Sequence, residues 1–116
     1  MKISTFPAEN GVYLLEVTGS VDAYTASSLY EALHDLLSQG HSRLLLDASQ
    51  IDFISSAGLR ALTSAQREAR PLGGEVRLFG LSGQVRKVFE MSGLDQLLYV
   101  ANTREQAMEG WGDAKA

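Results

Sequence analysis

The chain has 116 residues, with 10 Lys+Arg against 14 Asp+Glu for a formal charge of −4, 45% hydrophobic and 21% charged residues, and no cysteine. That length fits one domain able to bury roughly two-thirds of its unfolded surface, and the composition excludes disorder, disulfides, thiolate metal sites and cysteine nucleophiles. The acid excess, the scattered Lys and Arg and the lack of any run approaching ~20 apolar residues argue against nucleic acid and membrane insertion, and Met1-Lys2-Ile3-Ser4-Thr5 opens no secretory signal, so the expected compartment is cytoplasmic.

In chain order, residues 2–6 and the alternating Val12-Tyr13-Leu14-Leu15-Glu16-Val17 predict two strands joined through Glu9-Asn10-Gly11 as a hairpin. Thr25 is a candidate N-cap, and Leu29, Leu33, Leu36 and Leu37 recur at helical spacing until Gly40. The leucines of Arg43-Leu44-Leu45-Leu46-Asp47 do not alternate with polar residues, as in a central parallel strand covered on both faces. Ser55 and Ser56 then precede a helix with an apolar stripe at Leu59, Leu62, Ala65 and Ala69, ended by Pro71 and Gly73-Gly74.

Val76-Arg77-Leu78-Phe79 reads as a strand and Ser82 as the cap of a third helix carrying Val85, Val88 and Phe89, with Gly93-Leu94 as its stop. Leu97–Val100 is a short last strand, and Thr103 with Gln106 forms a capping box for a final helix. The order ββαβαβαβα predicts an α/β fold: an open, mixed, mostly parallel sheet of about five strands with about four helices. One domain spans residues 1–110; residues 111–116, with two glycines and a lone Trp111 in the stretch from Gly110, read as a loosely held, flexible tail.

Little in the sequence assembles into a catalytic centre. His34 and His41 read as surface residues, Gly80-Leu81-Ser82-Gly83 lacks the length and lysine of a P-loop, and Asp47 and Asp52 are acids near a strand end without a nucleophile–base set around them. No enzyme, metal or cofactor is expected. What stands out is Asp47 through Arg60, where a buried strand leads across the carboxyl edge of the sheet to two adjacent hydroxyls at a helix start. Simple capping by Ser55 or Ser56 is the plainest reading. Ala57 and Gly58 add something to it, because small residues beside Ser56 leave its hydroxyl uncovered, and a glycine in the first turn costs the helix ~0.5–1 kcal/mol.

This segment resembles the signature of the STAS domain, and in particular the stand-alone antagonists of bacterial anti-sigma factors. Gly19-Ser20-Val21-Asp22-Ala23-Tyr24-Thr25-Ala26 looks like that family's first turn, Leu45 to Leu59 its strand–loop–helix element, and Val88 to Leu94 its third-helix ending. The resemblance implies a partner-switching regulator whose phosphorylated serine falls on Ser56, with Ser55 as the alternative. Ser55 stands where the family has aspartate, Ala57 where it has a second hydroxyl residue and Arg60 where it has glycine. The implied partners are an anti-sigma factor serine kinase of the GHKL ATPase type and a serine phosphatase, contacted through Asp22, Thr25, Ser55, Ser56, Ala57, Gly58, Leu59 and Arg60. Helix capping is an equal reading of Asp22 and Thr25, and a solvated charge the plainer reading of Arg60. The alternative role is a constitutive STAS binding subunit of a membrane-lipid transport or signalling complex.

Overall fold

The computed structural model describes residues 1–112. Its elements run β1 (Lys2–Pro7), β2 (Val12–Val21), α1 (Ala26–Ser38), β3 (Arg43–Ile54), α2 (Ser56–Ala69), β4 (Glu75–Phe79), α3 (Gly83–Ser92), β5 (Tyr99–Ala101) and α4 (Arg104–Ala107). The five strands form one sheet in the order β1-β2-β3-β4-β5, with β1 antiparallel to β2 and every later pair parallel. The expected α/β class and element order are therefore found.

Because each new strand is added on the same side of the last, right-handed crossovers carry α1, α2 and α3 to one face of the sheet. There Leu15, Val17, Leu44, Leu46, Val76 and Leu78 meet the helical stripe of Leu29, Leu33, Leu62, Ala65, Val85 and Phe89 in one core. The opposite face is covered by the end of the chain: Val12, Leu14 and Leu45 pack under Ala107 and Trp111. Leu45 is thus buried from the other side than its neighbours Leu44 and Leu46, which is why the run has no polar alternation.

Three expectations change. β3 does not end at Asp47 but continues to Ile54, pairing Gln50 with Thr18, Ile51 with Gly19 and Ile54 with Val21, across two register irregularities in the β2–β3 pairing. Ala48, Ile51 and Ile54 are buried along it, so the polar residues between them occupy the outward positions of a strand rather than a loop. The last strand is Tyr99–Ala101 instead of Leu97–Val100, because Leu94–Gln96 form a 3-10 turn that delays it. Trp111 is not loosely held: it is buried on the back of the sheet, and its carbonyl accepts a hydrogen bond from Asn10 Nδ2 at 3.0 Å. The rest of the expected tail beyond Gly112 lies outside the described residues.

Candidate functional site

The α2 start divides its two serines between different tasks. Ser55 keeps extended dihedrals (φ −92°, ψ 172°), and its Oγ accepts from the Gly58 amide at 3.2 Å, which makes it the N-cap. Its own amide donates to Val21 O at 2.8 Å, tying the helix start to the end of β2. Ser56 is the first helical residue, is exposed, and its hydroxyl has no hydrogen-bond partner among the described residues.

The neighbouring positions separate into buried and open. Gly58 is buried, and a Cβ there would stand 2.7 Å from Ile54 Cγ1 and 2.8 Å from Val21 Cγ1. Its glycine is required by the close approach of the α2 start to the ends of β2 and β3, not by an outward surface. Leu59 also belongs to the core. Ala57 is half-buried and Arg60 exposed; both line a shallow groove of about 380 Å³ between α1 and α2, together with Ala23, Ser27, Tyr30 and Ser64. Arg60 makes no ion pair among the described residues.

Asp22 and Thr25 lie on the turn that follows β2, brought to the same edge by the Ser55–Val21 bond. Asp22 Oδ1 accepts from the amides of Tyr24 and Thr25, each at 2.9 Å, while Thr25 Oγ1 accepts from the Asp22 amide at 2.8 Å. The Thr25 amide and hydroxyl, followed by the Tyr24 amide, hold the Asp22 carboxyl below the usual carboxylate range. Both side chains are thus committed to closing the turn. Tyr24, between them, is 90% exposed, and nothing in the hydrophobic periodicity marked it.

The remaining candidates disperse. Asp47 Oδ1 accepts from the Ser49 amide and hydroxyl, whereas Asp52 Oδ1 accepts from Ser20 Oγ at 2.7 Å, so the two carboxylates serve different serines. His41 packs against Tyr13 with ring centroids 4.1 Å apart and the rings tilted by 31°. His34 Nδ1 lies 2.8 Å from Glu68 Oε1, and Tyr30 donates to the other oxygen of the same carboxylate, forming a polar bridge between α1 and α2. The Tyr30 hydroxyl, then His34, lower the Glu68 pKa. Among the described residues no group of three or more His, Cys, Asp or Glu is placed to hold a metal ion.

Residues 4–99 match the sequence profile of a protein family described as "Mlab, STAS domain". The chain belongs to the STAS-domain family. It is 37% identical over 98 residues to BtrV of Bordetella bronchiseptica, named as an anti-sigma factor antagonist, with 84% of each chain covered. Its fold matches that of an anti-sigma factor antagonist from Thermotoga maritima with a TM-score of 0.85 and 20% identity, covering 92% of each chain. It matches the phosphorylated form of the Bacillus cell fate determinant SpoIIAA with a TM-score of 0.71 and 21% identity, covering 93% of this chain and 97% of that one. The anti-sigma factor antagonists are thus this STAS domain's kin in sequence as well as in shape.

Proposed function

We propose that this STAS domain is a phosphorylation-controlled partner switch: unmodified, it binds an anti-sigma factor that is also a serine kinase of the GHKL ATPase type, and phosphorylation of Ser56 releases it. The observation that carries the reading is the exposed Ser56 hydroxyl, without a hydrogen-bond partner among the described residues, beside a Ser55 hydroxyl already occupied in capping. In the transfer, the Ser56 Oγ–phosphorus bond forms as the bond from the γ-phosphorus of ATP to its bridging oxygen breaks. ADP leaves, and the hydroxyl proton passes to a base of the kinase. A serine phosphatase returns the chain to its binding form by hydrolysis of the phosphoester.

The switch follows from electrostatics. The phosphate adds about −1.5 to −2 charges and three acceptor oxygens at a point that a bound partner covers. Inside the complex that charge loses its water, whereas in the free domain it meets solvent and the first amides of α2. Modification therefore disfavours the complex without opening the fold. A coupling of ~1–3 kcal/mol shifts the affinity 5- to 150-fold, enough to exchange one partner for another.

The test is a pull-down from native cell extract with and without ATP, followed by phosphosite mapping by mass spectrometry. Wild type should release its partner when ATP is present, Ser56→Ala should retain it under both conditions, and Ser56→Asp should bind weakly under both. Label confined to Ser55 overturns the assignment to Ser56, and a partner held in the presence of ATP with no label at all sinks the switch and identifies a constitutive STAS subunit instead.

A further inference from the structure

Resting on the assignment of Ser56, we infer that Arg60 is the counter-charge of the phosphorylated site: its guanidinium folds back one helical turn and pairs with the Ser56 phosphate. Ser56 and Arg60 stand four residues apart at the start of α2, and both are exposed. Side chains at this spacing share a helix face, with Cβ atoms roughly 5–6 Å apart, and an anion placed amino-terminal to the cation is the favoured order. Arg60 is also available. Arg77, Arg86 and Arg104 are tied to Glu75, Glu90 and Glu9, but Arg60 has no carboxylate partner among the described residues.

The surroundings leave little competition for it. Among the described residues Arg60 is the only charged one lining the groove between α1 and α2, whose walls there are Ala23, Ala26, Ala57 and Ala61 with Ser27, Tyr30 and Ser64. Asp22, the acid on the adjoining turn, has its Oδ1 filled by the Tyr24 and Thr25 amides, and Asp52 is engaged by Ser20. Glu68 is taken up by Tyr30 and His34. A phosphate offers Arg60 bidentate, charge-assisted bonds that no group among the described residues supplies.

The pairing gives the switch a second component. In the unmodified chain the guanidinium is a cation presented beside the Ser56 hydroxyl; in the modified chain it is drawn onto the phosphate. One event therefore adds an anion to the docking face and removes a cation from it. A partner that presents acidic groups to this face loses attraction on both counts.

The experiment installs phosphoserine at position 56 by genetic encoding, so that no kinase is needed, and follows the second proton dissociation of the phosphate by 31P NMR titration. Arg60→Gln should bind that proton roughly 2- to 5-fold more tightly than wild type, and Arg60→Lys should fall between them. Arg67→Gln, the loss of an equal charge farther along α2, should leave the titration where it was. If Arg60→Gln titrates with wild type, the counter-charge role is wrong while the switch stands. If wild type accepts no phosphate at Ser56 from its partner in the extract, the switch fails whatever the titration shows.

Discussion

The guanidinium of Arg77 lies 3.9 Å from the centroid of the Trp111 ring and 4.5 Å from that of Tyr99, so a cation near the middle of a buried strand rests over two aromatic faces. Glu75 pairs with it at 2.8 Å, and its Nη1 donates to the carbonyls of Ala107 and Glu109 at 2.8 and 2.6 Å. A buried charge is tolerated only when its donors are satisfied, and here the chain end satisfies them. Trp111→Ala should therefore cost about 3–5 kcal/mol of unfolding free energy in urea. Truncation after Gly110, which deletes the same ring, should cost a similar amount. A loss under about 0.5 kcal/mol for either variant, the range of ordinary surface changes, shows that the packing of Trp111 on the sheet holds nothing.

Gly58→Ala should destabilise the domain by about 1–3 kcal/mol, since the added methyl collides with Ile54 and Val21. Intrinsic helix propensity alone predicts the reverse sign, a gain of roughly 0.5–1 kcal/mol. Thermal or urea unfolding decides between them, and a stabilised variant shows that β2 and β3 yield easily at this point.

The two serines should separate cleanly in the same measurement. Ser55→Ala removes the acceptor of the Gly58 amide and should cost about 1 kcal/mol. Ser56→Ala removes a hydroxyl with no partner among the described residues and should stay within about 0.5 kcal/mol of wild type. Equal losses at both positions contradict the division of tasks between them.

Acid should loosen the turn before α1. Because the folded-state pKa of Asp22 lies below its unfolded value, its contribution is complete above the ordinary carboxylate range and disappears as the pH falls through the folded value. The wild-type melting temperature should therefore drop on acidification from about pH 5 to about pH 3, and Asp22→Asn should drop less steeply. Some slope persists in the variant, because the pKa values of Glu9 and Glu68 are lowered as well. Identical slopes count against Asp22 as a source of the acid sensitivity.

The three long helices were legible in the sequence because each carries an apolar stripe and a stop. Gly93, at φ 77°, ends α3 in the left-handed conformation read from its position before Leu94. The second half of β3 was not legible: Ser49, Gln50 and Asp52 have turn-like chemistry, and only pairing with the irregular end of β2 makes them strand residues. Trp111 was hidden by its flanking glycines, although Arg77 within Val76-Arg77-Leu78 was a sign that some distant group must satisfy a buried charge. At the candidate site the sequence located the helix start and both serines, but not the strand that leads into them. It placed Leu59 in the apolar stripe, but it could not tell which serine caps, nor that Gly58 turns inward, because those outcomes depend on where β2 ends in space.

The hydrogen bond from the Gly58 amide to Ser55 asks only for a short side-chain oxygen at that position, so aspartate, asparagine or threonine can replace the serine and preserve the helix start. At position 56 the backbone demands nothing of the side chain. Substitution at the first position is therefore limited by the stability of the helix start and at the second it is not, so either neighbour can be changed without the fold forcing a change in the other.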